Sequence, residues 1–240
     1  NNLDFHYTAT DLQSYYEDKG LSALLLINPD NPSGNFILKE DLFKLLDWTS
    51  QRQIRFIVDE SFVDFSDEGS ANTLLRDDIL EKYPLLIVVK SISKSYGVPG
   101  LRLGLAASAD CTLIANVRKD VSIWNINSFA EFYLQIYSKY DADYIIACQR
   151  FREERDLFYQ ELQTVDYLRV IPSQANYFLC EIRDRFTSTE LATILLHRFN
   201  LLIKDCGTKS AFANQGRNYI RLAVRNREDN HFLVTKLKEI

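Results

Sequence analysis

Residues 21–60 read LSALLLINPDNPSGNFILKEDLFKLLDWTSQRQIRFIVDE, and the hydrophobic pattern changes period twice within them. LSALLLINP (21–29) is a short, continuous apolar run, the mark of a buried parallel strand. KEDLFKLLDWTSQR (39–52) then places Leu42, Leu45, Leu46 and Thr49 on one helical face. RFIVDE (55–60) is a second buried strand. LLIVVKS (85–91) and RLGLAAS (102–108) supply a third and a fourth. Buried strands joined by helical crossovers predict an α/β fold with a parallel sheet, whose ligands bind beyond the carboxyl ends of the strands. The unusual residues of this chain gather at those ends.

Residues 109–163 read as mostly helical and close on the charged run QRFREERDLFYQEL (149–162), whose plain reading is a solvated helix face. The pattern changes after Val165. Tyr167–Ile171 and Asn176–Ile182 alternate as strands do, and a helix opened by a capping box (Thr187 with Glu190) runs to Phe199. LLIKD (201–205) and YIRLAVR (219–225) are further strands, and a last helix ends the chain. The division is a large domain over 1–164 and a small α+β domain over 165–240.

The 240 residues, 46% hydrophobic and 25% charged, suffice for a large domain with a small one beside it. A net charge of -5 speaks against a nucleic-acid or anionic-membrane partner. No apolar run approaches the ~20 residues of a membrane helix, and the start, NNLDFHYTATD, lacks a signal pattern. Cys111, Cys148, Cys180 and Cys206 are widely spaced, which suits a reduced cytoplasm rather than zinc or a disulfide framework. His6, His197 and His231 show no ligand spacing, so no metal is expected.

The chemistry lies in Ser91-Ile92-Ser93-Lys94-Ser95-Tyr96-Gly97-Val98-Pro99-Gly100-Leu101-Arg102-Leu103-Gly104. A lysine just beyond a buried strand is costly to desolvate, and a desolvated lysine beside another cation becomes a nucleophile suited to Schiff-base chemistry. Ser91, Ser93 and Arg102 can hold a dianionic phosphate beside it, Arg102 in bidentate fashion. Alone, a lysine in a glycine-rich loop is ordinary surface.

This segment resembles the cofactor-lysine segment of class I/II aminotransferases of pyridoxal-phosphate fold type I. The branch is the one holding histidinol-phosphate aminotransferase and threonine-phosphate decarboxylase. Three further stretches match in order. Asn28-Pro29-Asp30-Asn31-Pro32-Ser33-Gly34 resembles the family's NPNNPTG turn, which implies that Asn31 bonds the cofactor's phenolic oxygen. Val58-Asp59-Glu60-Ser61-Phe62 resembles VDEAY, which implies that Asp59 pairs with the pyridine nitrogen. Tyr219–Arg225 resembles the strand whose arginine, here Arg221, clamps the substrate carboxylate. Asp59 precedes Lys94 by 94 − 59 = 35 positions, close to the family's interval. Weaker signatures are Trp124–Ser128, with Asn127 at the substrate, and Ser173–Tyr177.

The resemblance implies a three-layer large domain with a mostly parallel sheet, a C-terminal α+β small domain, pyridoxal 5′-phosphate as cofactor and Lys94 as the Schiff-base lysine. It implies transamination between an L-amino acid and a 2-oxo acid in a homodimer. It also implies an N-terminal segment, missing here, that carries a phosphate-binding turn, a stacking aromatic ring and a tyrosine for the partner's site. Phe62 departs from the family's usual tyrosine, a donor to the phenolic oxygen. Threonine-phosphate decarboxylases have DEAF there, so decarboxylation of a phosphorylated amino acid stays open beside transamination. A non-catalytic dimerisation or scaffold remnant is the alternative of another class. The acidic Asp59-Glu60 pair also resembles a nucleotide-hydrolase strand end, but G-x-x-x-x-G-K-[ST] is absent.

Overall fold

The computed structural model describes residues 2, 4–207, 212 and 216–240. The chain divides into two compact units, residues 1–30 with 36–148 and residues 31–35 with 149–240. In the first, β1 (Ala23–Ile27), β2 (Arg55–Asp59), β3 (Leu86–Ser91) and β4 (Gly104–Ala107) form one sheet in the order β1-β2-β3-β4. The first three strands run parallel, with Leu26 opposite Val58 and Val58 opposite Val88. Its helices are α1 (Ala9–Tyr16), α2 (Lys39–Gln51), α3 (Asp77–Lys82), α4 (Ile92–Ser95), α5 (Cys111–Asp120) and α6 (Ser128–Ile136). The helix α7 (Asp141–Leu162) runs on into the second unit.

Helix α2 buries the face that its spacing predicts, Leu42, Leu45, Leu46 and Thr49, in a core with Leu24, Leu26, Phe56, Val58, Leu86 and Val88. Thr49 is tolerated there because its hydroxyl donates to Leu45 O at 2.8 Å. In this unit two expectations are corrected. β1 is not buried on both faces: Leu24 and Leu26 face the core, while Leu25 is 60% exposed. A continuous apolar run does not reveal that its strand lies at an edge of the sheet. β4 is antiparallel to β3, with Gly104 opposite Ser91, and its residues 104–106 are exposed. Residues 92–103 hold only the one-turn α4 and the 3-10 turn Pro99–Leu101, so the chain doubles back instead of crossing over. Helix α1 went unread although Thr8 and Asp11 form its capping box.

In the second unit β5 (Leu168–Val170), β6 (Tyr177–Ile182), β7 (Lys204–Asp205) and β8 (Asn218–Ala223) form an antiparallel sheet in the order β5-β6-β8-β7. Helix α8 (Ser188–Phe199) opens on the expected capping box, with Thr187 Oγ1 accepting from Glu190 N. The last helix is α9 (Arg227–Lys238). Phe158, Leu162, Phe178, Cys180, Leu191, Ile220 and Leu237 build the core. β6 does not alternate: all six residues are buried. LLIKD contributes only the two residues of β7. The charged run in α7 is not wholly solvated, since Arg155, Phe158 and Leu162 are buried. Among the described residues, no helix is long and apolar enough to cross a membrane, and no cluster of His, Cys, Asp and Glu side chains is placed to hold a metal.

Gly34 holds a φ of +76°, and a Cβ there would lie 2.0 Å from Ser173 Oγ and 2.9 Å from Ser173 Cα. Gln174 N donates to Gly34 O at 3.0 Å, which locks the approach. Gly34→Ala is expected to cost roughly 1–3 kcal/mol of stability through overpacking. A denaturant midpoint unchanged from wild type would show that this approach is not tight.

Candidate active site

The parallel pairing brings the ends of β2 and β3 together, with Asp59 opposite Val89 and Ser91 two residues beyond. Asp59 Oδ1 accepts from Ser61 N at 2.9 Å and Ser61 Oγ at 2.5 Å. Ser61 Oγ in turn accepts from Ser91 N at 3.0 Å, so one hydroxyl ties the carboxylate to the neighbouring strand end. Both bonds fall on Oδ1, which leaves Oδ2 for another donor. Sequence reading passed over Ser61, although a serine two residues after an aspartate is a recurring turn pattern.

Asp59, Ser61, Ser91, Ser93, Arg102 and Gly104 line one cavity of about 390 Å³ in the first unit. Ser93 is buried on α4, and its hydroxyl donates to Leu103 O at 3.2 Å. Arg102 is exposed in the left-handed region (φ 56°), and its Nη1 donates to Pro99 O at 3.1 Å. A non-glycine residue held there marks a backbone that its surroundings over-determine. Lys94 is exposed on α4, outside that cavity lining, and its Nζ stands 4.2 Å from the centroid of the buried Phe62 ring. Asn127 caps α6: its Oδ1 accepts from Ala130 N at 2.9 Å and its Nδ2 donates to Leu101 O at 3.1 Å.

The same region of the first unit holds further buried polar groups. Lys90 Nζ meets Asp64 Oδ1 at 2.8 Å, with side chains only 10% and 3% exposed. Asp64 Oδ2 is buried without a hydrogen-bond partner among the described residues. Tyr96 stacks on Tyr144 at 4.1 Å. Burial, helped by the Asp64 charge, pushes the Tyr96 hydroxyl up to about 12 and Tyr144 higher still. Glu60 accepts from Thr73 Oγ1 and, at 2.6 Å, from Leu74 N, yet burial raises its pKa.

In the second unit Arg221 Nη1 donates to Asn31 Oδ1 at 2.7 Å, and its guanidinium lies 4.6 Å from the centroid of the Tyr177 ring. Arg221 stands opposite Lys204 across the β7–β8 pair. With Arg225, which is paired to Asp229 at 2.7 Å, they line a cavity of about 880 Å³.

The class I and II aminotransferase pattern matches residues 2–237. The chain belongs to that family. Among its relatives is a CMP-5′-(3-aminopropyl)phosphonate synthase of Streptomyces rubellomurinus, 32% identical over 99% of this chain and 37% of that protein. An L-serine phosphate decarboxylase of Sulfurospirillum multivorans is 30% identical over 99% of this chain and 60% of that protein. The solved structure of a decarboxylase from the same organism superposes with a TM-score of 0.87 at 30% identity, covering 98% of this chain and 66% of that one. The chain thus spans between about a third and three-fifths of the length of these curated relatives.

The family's cofactor is pyridoxal 5′-phosphate. The donors in the first unit fit it chemically: a carboxylate with one oxygen left for a ring nitrogen, hydroxyls and a guanidinium for a phosphate, and an amine for an aldehyde.

Removing one partner of the Lys90–Asp64 pair leaves an uncompensated buried charge. Lys90→Met is expected to cost roughly 3–5 kcal/mol, and Lys90→Met with Asp64→Leu to recover most of it. Equal denaturant midpoints for the single and double variants would contradict this.

Glu60 makes stability depend on pH. A carboxyl whose native pKa is raised binds protons more tightly folded than unfolded, so stability falls as pH rises from 4.5 through the native value. Glu60→Gln is expected to flatten that fall in denaturant midpoints measured across the acid-to-neutral range. The same slope in both proteins would assign the pH dependence elsewhere.

Proposed function

We propose that the protein is a pyridoxal-phosphate-dependent decarboxylase of a phosphorylated amino acid. The match to the L-serine phosphate decarboxylase along 99% of this chain carries the reading. Phe62 at the Lys94 amine, in place of a hydroxyl-bearing ring, supports it. Transamination, which the resemblance placed first, becomes the second reading, favoured by the family's aminotransferase membership.

When bound, the cofactor supplies an electron sink for the pair left at Cα as a bond breaks. Asp59 would hold the ring nitrogen in its charged form, and Ser61 keeps the carboxylate aimed. Ser91, Ser93 and Arg102 would hold the phosphate, and Asn31 would bond the phenolic oxygen. Arg221 would fix the substrate carboxylate, and that orientation would decide which Cα bond breaks. Lys94 returns a proton to Cα. Residues 1–164 carry the cofactor side of this division of labour, and residues 165–240 carry Arg221. Asn127 belongs to the substrate side by resemblance, although the structure gives its amide two local bonds.

Family members are generally homodimeric, and a homodimer suits Ile123 and Trp124, which are 94% and 91% exposed here. Sedimentation of the intact protein reads this directly, and a monomer would remove the dimer from the proposal.

The intact protein with the cofactor is expected to show a visible absorption band that Lys94→Ala lacks. It is expected to release carbon dioxide from O-phospho-L-serine or O-phospho-L-threonine. Arg221→Ala is expected to lower kcat/KM roughly 100-fold by misplacing the carboxylate. Keto acid without carbon dioxide would favour the second reading. No band in the wild type would sink both.

A further inference from the structure

We propose that Phe62 is a positioning residue that holds the Lys94 amine in its charged form and so favours decarboxylation over amino transfer. The inference rests on the decarboxylase reading and names the side chain that directs the outcome. Lys94 Nζ stands 4.2 Å from the Phe62 ring centroid, well inside the distance at which a ring face attracts a cation. The ring is buried and its backbone is pinned on both sides. Val63 N donates to Glu60 O and Phe65 N donates to Phe62 O, each at 3.1 Å. The ring's negative face attracts an ammonium and has no such attraction for a neutral amine. The charged groups at the neighbouring strand ends are Asp59, whose Oδ1 accepts from Ser61, and Lys90, which is paired with Asp64.

Decarboxylation and amino transfer ask opposite things of this amine. In decarboxylation the bond from Cα to the carboxylate carbon breaks and carbon dioxide leaves. The electron pair remains on the Cα side, and an Nζ–H proton of Lys94 then moves to Cα, leaving a neutral amine. Amino transfer begins with the reverse demand, a neutral amine taking the proton from Cα. A ring face that prefers the ammonium helps the first and hinders the second.

Fluorinated phenylalanines separate this electrostatic role from a packing role, because fluorine drains the ring face while hardly changing its size. With one, two and three fluorines at Phe62, two quantities are measured at one fixed pH. The first is the acylation rate of Lys94 in the intact, cofactor-free protein, since only the neutral amine reacts. The second is the fraction of turnovers of the loaded enzyme diverted to amino transfer. Both are expected to rise stepwise, on the order of 3- to 30-fold across the series, with Phe62→Leu at the upper end. Carbon dioxide release with both series flat overturns the assignment to Phe62 alone. No carbon dioxide from any phosphorylated donor overturns the decarboxylase reading, and with it the catalytic consequence drawn from the ring.

Discussion

Parallel pairing of β2 with β3 is the constraint on which the candidate site depends. Parallel strands end at the same edge of a sheet, so Asp59 and Ser91, the last residues of their strands, become neighbours there. Ser61 then locks that arrangement, accepting from Ser91 N while donating to Asp59 Oδ1. Hydrogen bonds to one oxygen of a carboxylate fix its direction and leave the other for a ligand. The strand pairing brings the groups together, and a single hydroxyl sets their aim.

Nearby, buried polar groups take the place of a plain apolar core. An ion pair as buried as Lys90–Asp64 gains little net stability, because desolvation offsets most of the attraction. Glu60 shows the same tension: two hydrogen bonds stabilise its carboxylate, and burial still wins. Tyr96 and Tyr144 stay neutral at any ordinary pH for the same reason. Such groups hold a turn in one arrangement, which suits a segment that must present Lys94 and Ser93 from the four residues of α4.

The second unit follows another logic. Arg221 sits at the centre of an antiparallel sheet, held between the Asn31 amide and the Tyr177 ring. The short stretch 31–35 belongs with this unit although its flanking residues belong with the first. Gly34 explains the attachment locally, since its missing Cβ lets Ser173 approach and its carbonyl takes the Gln174 N–H. Asn31 and Arg221 lie 190 positions apart in the chain and meet through that arrangement.

Much of this was legible from the residues alone. Period and length determine α2, β2, β3 and α8 almost to the residue, because each is a local pattern with a recognisable start or end. Family motifs likewise single out Asp59, Lys94, Asn31 and Arg221. Tertiary structure alone decided the rest, for a common reason: pairing and burial depend on partners distant in the chain. A run of apolar residues is the same string at an edge or a centre, so Leu25 read as core and proved exposed. A strand's direction depends on how its connection packs, so β4 read as parallel and proved antiparallel. Ser61 as a bridge, Asp64 beneath Lys90 and the Phe62 ring under Lys94 are contacts across space, and no spacing in a single sequence encodes them.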